Sequence, residues 1–489
     1  MNIQEAKEEI IRTIKVYTAR DEDGMFRIPS IQQRPLLLMG PPGIGKTAIV
    51  EQAAAECGTG MLSYAMTHHT RQSAIGLPEL ATHQYEGKKY TVTEYTMSEI
   101  VASVYVYMEQ TGYREGILFL DEINCVSETL APVMLQLLQF KKFGTHKVPE
   151  GWIIVAAGNP PELNHAVREM DMASLDRVRT LNIEADVTVW KQYAASRGVH
   201  PAILSYLEIK PEAFYRVVEE RKKKEFVTAR GWEDLSTVLK EYERQGLDIN
   251  RYFMEEFIRS PEVAADFDAY YRMDRTCMGG YRISELFAET VELEERRCLI
   301  DRLSSAGPDV RCMFIRHFLA AASEEMSRVG GLLRRETRWA EVKKHLSEYL
   351  SAHPAEGIQG FLTGRERELS IKKEHGLLKG GEERMEQWIN HQILARFVDN
   401  SAESCRNGAE EKEKLQKHLT AGTQLIRQLY GEGPELCDWL EGIRHHGDYR
   451  LCGYVCPEYG SFPEQKRLEE QLKKQVQEME ELYETRNCI

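Results

Sequence analysis

The sequence predicts an α/β fold: a parallel five-stranded sheet between helices, followed by a helical lid and a mostly helical C-terminal region. Three observations predict it. Five short apolar runs, at 36–39, 61–65, 117–120, 153–157 and 180–183, read as buried strands with helical patterns between them, the alternation of a sheet covered on both faces. The first run leads straight into a glycine-rich turn and then a helix. Beyond residue 250 no strand pattern stands out.

Taken in order, residues 3–18 place Ile3, Ala6, Ile10, Ile14 and Tyr17 at helical spacing before Gly24 breaks the pattern. After the five strands, residues 190–245 read as short helices, with a clear one over 232–242. The tail reads as charged helices broken at Gly279-Gly280, Gly330-Gly331 and Gly380-Gly381. Near its end Leu468, Leu472, Val476, Met479 and Tyr483 form one stripe, expected to pack on its own domain rather than form a coiled-coil seam. The domain limits expected are an N-terminal helix over 1–24, an α/β core over 25–186, a lid over 187–249 and the helical region 250–489.

The chemistry concentrates in the core. Gly40, Pro41, Pro42, Gly43, Ile44, Gly45, Lys46 and Thr47 match G-x-x-x-x-G-K-[ST] between a strand and a helix, so the fold is that of a P-loop NTPase. Such a loop turns backbone N–H groups around phosphate oxygens, and the helix adds its positive end. Lys46 is expected to bridge the β- and γ-phosphates of ATP, and the Thr47 hydroxyl to bind Mg²⁺. The run 117–120 ends in Asp121 and Glu122. Ionised groups there need partners; Asp121 is expected to hold Mg²⁺ and Glu122 to take a proton from the attacking water. Asn159, after the fourth strand, offers donor and acceptor to the γ-phosphate and that water. Arg177 and Arg230 suit charge neutralisation on the γ-phosphate, and Arg179 competes with Arg177.

Other classes are excluded or disfavoured. A net charge of -14 opposes general nucleic-acid binding, which needs a positive field, and the basic run 221–224 reads as a solvated face. No apolar run approaches the roughly 18–20 residues that cross a bilayer, and the polar start, MNIQEAKEEI, is no secretory signal. Ten scattered cysteines fit reduced thiols in a cytoplasm. His445, His446, Cys452 and Cys456 lie close in sequence, but their spacing fits no standard zinc pattern.

In this order, GPPGIGKT at 40–47, LFLDEIN at 118–124, AAGNPPE at 156–162, SLDR at 174–177 and TARGWEDLS at 228–236 resemble the AAA+ ATPases, and more closely the MoxR-like group. The likeness covers roughly residues 25–250. It implies that Asn159 is sensor 1, Arg177 a finger reaching the neighbouring subunit, and Arg230 sensor 2. Val178 follows Arg177 where the family usually carries Phe. Segment 76–98 matches the clade's helix-2 insert in position, and Ile28 and Pro29 sit where such enzymes line the adenine pocket. The resemblance implies Mg-dependent hydrolysis of ATP in a ring, expected to be a homo-hexamer. It further implies a chaperone-like role on partner proteins, with a partner bearing a von Willebrand factor A domain. A restriction-type nucleic-acid motor is the alternative, against which the acidity argues. A nucleotide-dependent scaffold is a third reading, which would not need Lys46, Asp121, Glu122 and Asn159 all intact.

Overall fold

The computed structural model describes residues 1–68, 72, 74, 76–85, 88–143, 146–161, 170, 172–220, 223–374, 377–378, 380–397 and 407–455. Cys456, Glu162, residues 221–222 and the stripe at 468–483 lie outside them.

The chain opens with α1 (Ile3–Tyr17), started by a reciprocal cap in which the Asn2 side chain accepts from the Glu5 N–H and the Glu5 carboxylate from the Asn2 N–H. Next come β1 (Leu36–Met39), α2 (Lys46–Cys57) and β2 (Gly60–Ala65). An antiparallel hairpin, β3 (Pro78–Tyr85) and β4 (Lys88–Tyr95), stands off the core with β4 exposed along its whole length. Then follow α3 (Glu99–Thr111), β5 (Gly116–Asp121), α4 (Ala131–Phe140), the short hairpin β6 (Lys142–Phe143) and β7 (His146–Lys147), β8 (Trp152–Gly158), α5 (Met172–Leu175) and β9 (Arg179–Asn182).

The five strands expected from the apolar runs form one parallel sheet in the order β2-β5-β8-β1-β9. Successive residues of each strand face opposite layers. Leu36 and Leu38 join Phe119 and Val155 beneath α1 and α2, while Leu37, Leu118, Leu120 and Ile154 meet α3 and α4 on the other side. The inner strands β1, β5 and β8 are covered on both faces and read as continuous apolar runs, while the edge strands β2 and β9 stay partly exposed. Strand β1 lies inside the sheet, and crossovers leave the loops after β1, β5 and β8 together at its carboxyl edge, where open α/β sheets bind ligands.

The lid departs from the helical reading. After α6 (Val187–Ser196) and α7 (Pro201–Ile209), β10 (Arg216–Glu220) and β11 (Lys223–Val227) pair antiparallel. β-Branched and aromatic residues at 217, 218, 226 and 227 favour strands, and the charged residues at 219–225 masked that signal. Helix α8 (Ala229–Gln245) then carries the expected 232–242 segment. The lid core runs past residue 249. Helices α9 (Arg251–Phe257) and α10 (Pro261–Met278) complete it with Phe253, Met254, Phe267 and Tyr271 packed against Trp232 and Tyr206.

The rest is helical. Short α11 (Ile283–Phe287) and α12 (Leu293–Ser304) precede α13 (Pro308–Ala352), whose 45 residues make a rod ~68 Å long. The expected break at Gly330-Gly331 does not occur. Gly330 is needed for contact instead: a Cβ there would lie 2.4 Å from Asp448 Cγ. Helices α14 (Gly357–Glu374) and α15 (Gly380–Phe397) pack on the distal half of α13 through Val342, Leu346 and Ile389. Helices α16 (Gly408–Tyr430), α17 (Pro434–Arg444) and α18 (Tyr449–Cys452) pack on its proximal half around Phe318 and Trp439. Proximal α13 also rests on α7, and α17 on α6, while α14 touches α3 of the core. Among the described residues no helix is long and apolar enough to cross a membrane.

Phe267 tests the extent of the lid. Its ring is fully buried, 5.2 Å from Tyr206 and 5.3 Å from Trp232 between centroids. Phe267→Ala is expected to cost about 3–5 kcal/mol, as for other large-to-small core changes. Thermal unfolding of the full chain reads this directly; an unchanged midpoint would place the limit of the lid core before α10.

Candidate active site

The turn after β1 is shaped by three glycines. Gly40 lies so close to β9 that a Cβ would come within 2.8 Å of the Ile183 carbonyl oxygen, and Gly43 and Gly45 take φ of +76° and +96°, open to glycine at little cost. The turn folds around Lys46, which is only 8% exposed. Its ammonium donates to the carbonyls of Gly40 (2.7 Å) and Pro41 (2.9 Å) and to Asn159 Oδ1 (2.9 Å), three acceptors for three N–H bonds. Asn159 is in reach because β1 and β8 pair Met39 with Gly158. Burial pushes the Lys46 pKa down to about 8; the Asp121 charge opposes that fall and the Arg230 charge adds to it.

The end of β5 supplies the carboxylates. Asp121 Oδ2 accepts from the Thr47 hydroxyl at 3.1 Å, and Oδ1 from the Glu122 N–H at 2.9 Å. Glu122 sits at φ 55°, a left-handed conformation that costs a non-glycine residue roughly 1–3 kcal/mol and concentrates at functional sites. Its Oε2 accepts from the Thr67 hydroxyl at 2.7 Å. Asn124 clamps the backbone of Asn159: its Nδ2 donates to the Asn159 carbonyl at 2.8 Å, and its Oδ1 accepts the Asn159 N–H at 3.3 Å. A Cβ on Gly158 would meet that Oδ1 at 2.7 Å. Sequence reasoning missed both partners. Asn124 lay inside a quoted motif, but nothing in one sequence pairs it with residue 159, and Thr67 carries no local signal at all.

These groups open into a cleft of about 830 Å³, within the ~300–1,000 Å³ usual for small-molecule sites. The Arg230 N–H donates to the Gly43 carbonyl at 3.2 Å, which seats the start of α8 against the turn. Glu233, one turn on, accepts from the Trp190 indole at 3.1 Å, and burial raises its carboxyl pKa. The far wall comes from Asn2, Ile3 and Gln4 ahead of and within α1, and from Val189 and Tyr193 on α6. Ile28 is partly buried against the core cluster that includes Ile10 and Ile14 of α1.

The two arginines after α5 part company. Arg179 reaches back to α1, donating to Thr13 at 3.1 Å and pairing with Glu9. Arg177 is half-buried and does not line the cleft of its own chain.

Residues 35–178 match the family described as the AAA domain, dynein-related subfamily. The chain carries an AAA+ ATPase domain. Domains of this kind bind and hydrolyse ATP and commonly assemble as rings. No curated protein matches the chain. The AAA+ match takes in the glycine turn, Asp121, Glu122, Asn159 and Arg177, and ends before the lid.

Thr47 Oγ1 and Asp121 Oδ2, hard oxygen donors 3.1 Å apart, fit Mg²⁺, which usually takes one or two protein ligands beside phosphate and water. Among the described residues no three His, Cys, Asp or Glu side chains gather to hold a metal by themselves. His446 is committed to Ser327 and to the Asp448 N–H, and burial lowers its pKa. Burial raises the Cys452 thiol to about 11.

Lys46 makes nucleotide affinity pH-dependent. Phosphate requires the ammonium, and the free protein loses that proton above about pH 8, so binding at higher pH must take a proton up. The Kd for ATP is therefore expected to rise above about pH 8 by as much as tenfold per pH unit and to be flat below it for this group. Calorimetry between about pH 7 and pH 9, in buffers of different ionisation enthalpy, reads both the affinity and the proton. A flat Kd with no proton uptake would contradict it.

Proposed function

We propose that this AAA+ domain hydrolyses ATP in a ring, with the site shared between subunits, to remodel or assemble partner proteins. The observation that carries the reading is the Lys46–Asn159 contact: it joins the phosphate turn to the end of β8 in the cleft that also holds Asp121, Glu122 and Arg230.

In this reading Lys46 turns from the Gly40 and Pro41 carbonyls to the β- and γ-phosphate oxygens, while the N–H groups of the turn receive the rest of the chain. Thr47 and Asp121 would hold Mg²⁺, which would supply charge neutralisation to the phosphates. Glu122 accepts a proton from the water attacking the γ-phosphorus, and Asn159 orients that water. Thr67 holds the Glu122 carboxylate until the water is in place. Arg230 neutralises γ-phosphate charge from the lid. Arg177 does so from the neighbouring subunit, a role supported by its place outside its own cleft and by the commitment of Arg179 to α1.

Motif order similar to the MoxR-like group supports a hexamer and a partner with a von Willebrand factor A domain. The acidity of the chain supports a protein substrate over nucleic acid.

Lys46→Ala is expected to abolish ATP binding. Glu122→Gln is expected to keep binding and slow phosphate release about 10²- to 10⁴-fold, since an amide cannot accept the proton. Captured from native cells with ATP, the Glu122→Gln protein should retain a partner protein that Lys46→Ala does not. Normal turnover by Glu122→Gln would remove it from the mechanism.

Sharing between subunits has its own test. Arg177→Ala and Lys46→Ala rings are each expected to be inactive, yet mixing them should restore turnover, because only mixed rings pair an intact turn with an intact arginine. Such fingers are worth on the order of 10³–10⁵ in rate, so partial rescue is easily read. Mixed rings without rescue would assign the charge to a group within one chain.

A further inference from the structure

One cleft residue comes from outside both the α/β core and the lid. His445, directly after α17, lines the cleft together with Val189 and Tyr193, and α17 packs on α6 beside it. We infer that His445 contacts the ribose–base end of the bound nucleotide, making the C-terminal bundle part of the nucleotide site. The inference rests on the reading that this cleft binds ATP.

The position of His445 is fixed from behind. Leu436, Trp439, Leu440 and Ile443 bury the other face of α17 in the bundle core. The next residue, His446, is buried and bonded to Ser327 of α13. Asp448 pairs with Arg334 and seats against Gly330 on the same helix. These contacts hold the 445–448 turn on the bundle and leave the exposed ring of His445 at the cleft. A site held by packed supporting contacts is preorganised for its ligand.

The ring's chemistry follows from its bond to the Glu441 carbonyl. Nδ1 lies 2.9 Å from the Glu441 carbonyl, which only accepts, so Nδ1 carries the hydrogen and Nε2 of the neutral ring is an acceptor. The nucleoside end of ATP offers matching donors, the ribose hydroxyls and the adenine amino group. The phosphate end is already surrounded by Lys46, Thr47, Asp121, Asn159 and Arg230. Away from the phosphate groups the lining mixes neutral side chains, Asn2, Ile3, Gln4, Val189 and Tyr193, with Glu51, Glu233 and Glu5, the last occupied in the α1 cap. Val189 and Tyr193 lie on α6, against which α17 packs, and such apolar and polar neutral groups beside His445 suit a base and sugar rather than phosphate.

The test compares ADP with inorganic pyrophosphate, each displacing a fluorescent nucleotide from the full-length protein. His445→Ala is expected to weaken ADP and ATP alike by about three- to tenfold, the worth of one net hydrogen bond, and to leave pyrophosphate unchanged. His445→Gln, which restores an acceptor, should recover part of the loss. Hydrogen exchange supplies a readout independent of affinity: saturating ADP should slow exchange at residues 443–449 in the unmodified protein and not in His445→Ala. Equal ADP affinity in both proteins, or equal weakening of ADP and pyrophosphate, would overturn the contact. Lys46→Ala separates the two readings, because if it still bound ADP normally the cleft itself would not be the nucleotide site.

Discussion

A buried ammonium needs acceptors on every side, and much of this structure is arranged to provide them for Lys46. Its three partners fix three things at once. The Gly40 and Pro41 carbonyls must point inward, which a chain achieves only by reversing through glycines at positive φ. The Asn159 amide must arrive from another strand, so the register between β1 and β8 is set to the residue. The helix that carries Lys46 must begin where the turn ends. The protein's own carbonyls and the Asn159 amide take all three N–H bonds of the ammonium, so a ligand drawn to that charge competes with an internal arrangement already complete. The cost of holding a cation in that place shows in its lowered pKa.

The carboxylate side of the cleft follows a different logic. Asp121 is tied down twice, by a hydroxyl and by a backbone N–H, whereas Glu122 is held at φ 55° with the Thr67 hydroxyl on its carboxylate. One group is held firmly. The other carries backbone strain and an exchangeable side-chain contact, a combination that leaves its carboxylate able to change partners.

Sequence exposed the parts whose signals are local. Apolar runs mark the strands most clearly where β1, β5 and β8 are buried on both faces and must be apolar throughout, and the turn at 40–47 declares its chemistry through glycine spacing. The hairpin over Arg216–Glu220 and Lys223–Val227 escaped because charged residues at the turn broke its alternation. Gly330 looked like a helix breaker because one sequence cannot show Asp448 seated against it. Asn124, Thr67 and His445 owe their places to pairings across 35, 55 and hundreds of residues, and no spacing rule reaches that far. The lid's limit was obscured for the same reason: Phe267 looks like any aromatic on a charged helix until it is found against Trp232.

Helix α13 makes the two ends of the molecule mechanically dependent. Its proximal half is seated on the lid at α7, and its distal half carries α14, which touches α3 on the flank of the sheet. A rod ~68 Å long converts each degree of rotation at one end into roughly 1 Å of travel at the other. The lid therefore cannot turn on the core as a free flap. Any swing must be met by bending of the rod, by sliding of α14 along α3, or by the release of that contact. The molecule has the layout of a lever whose far end is already resting on the frame that holds its pivot.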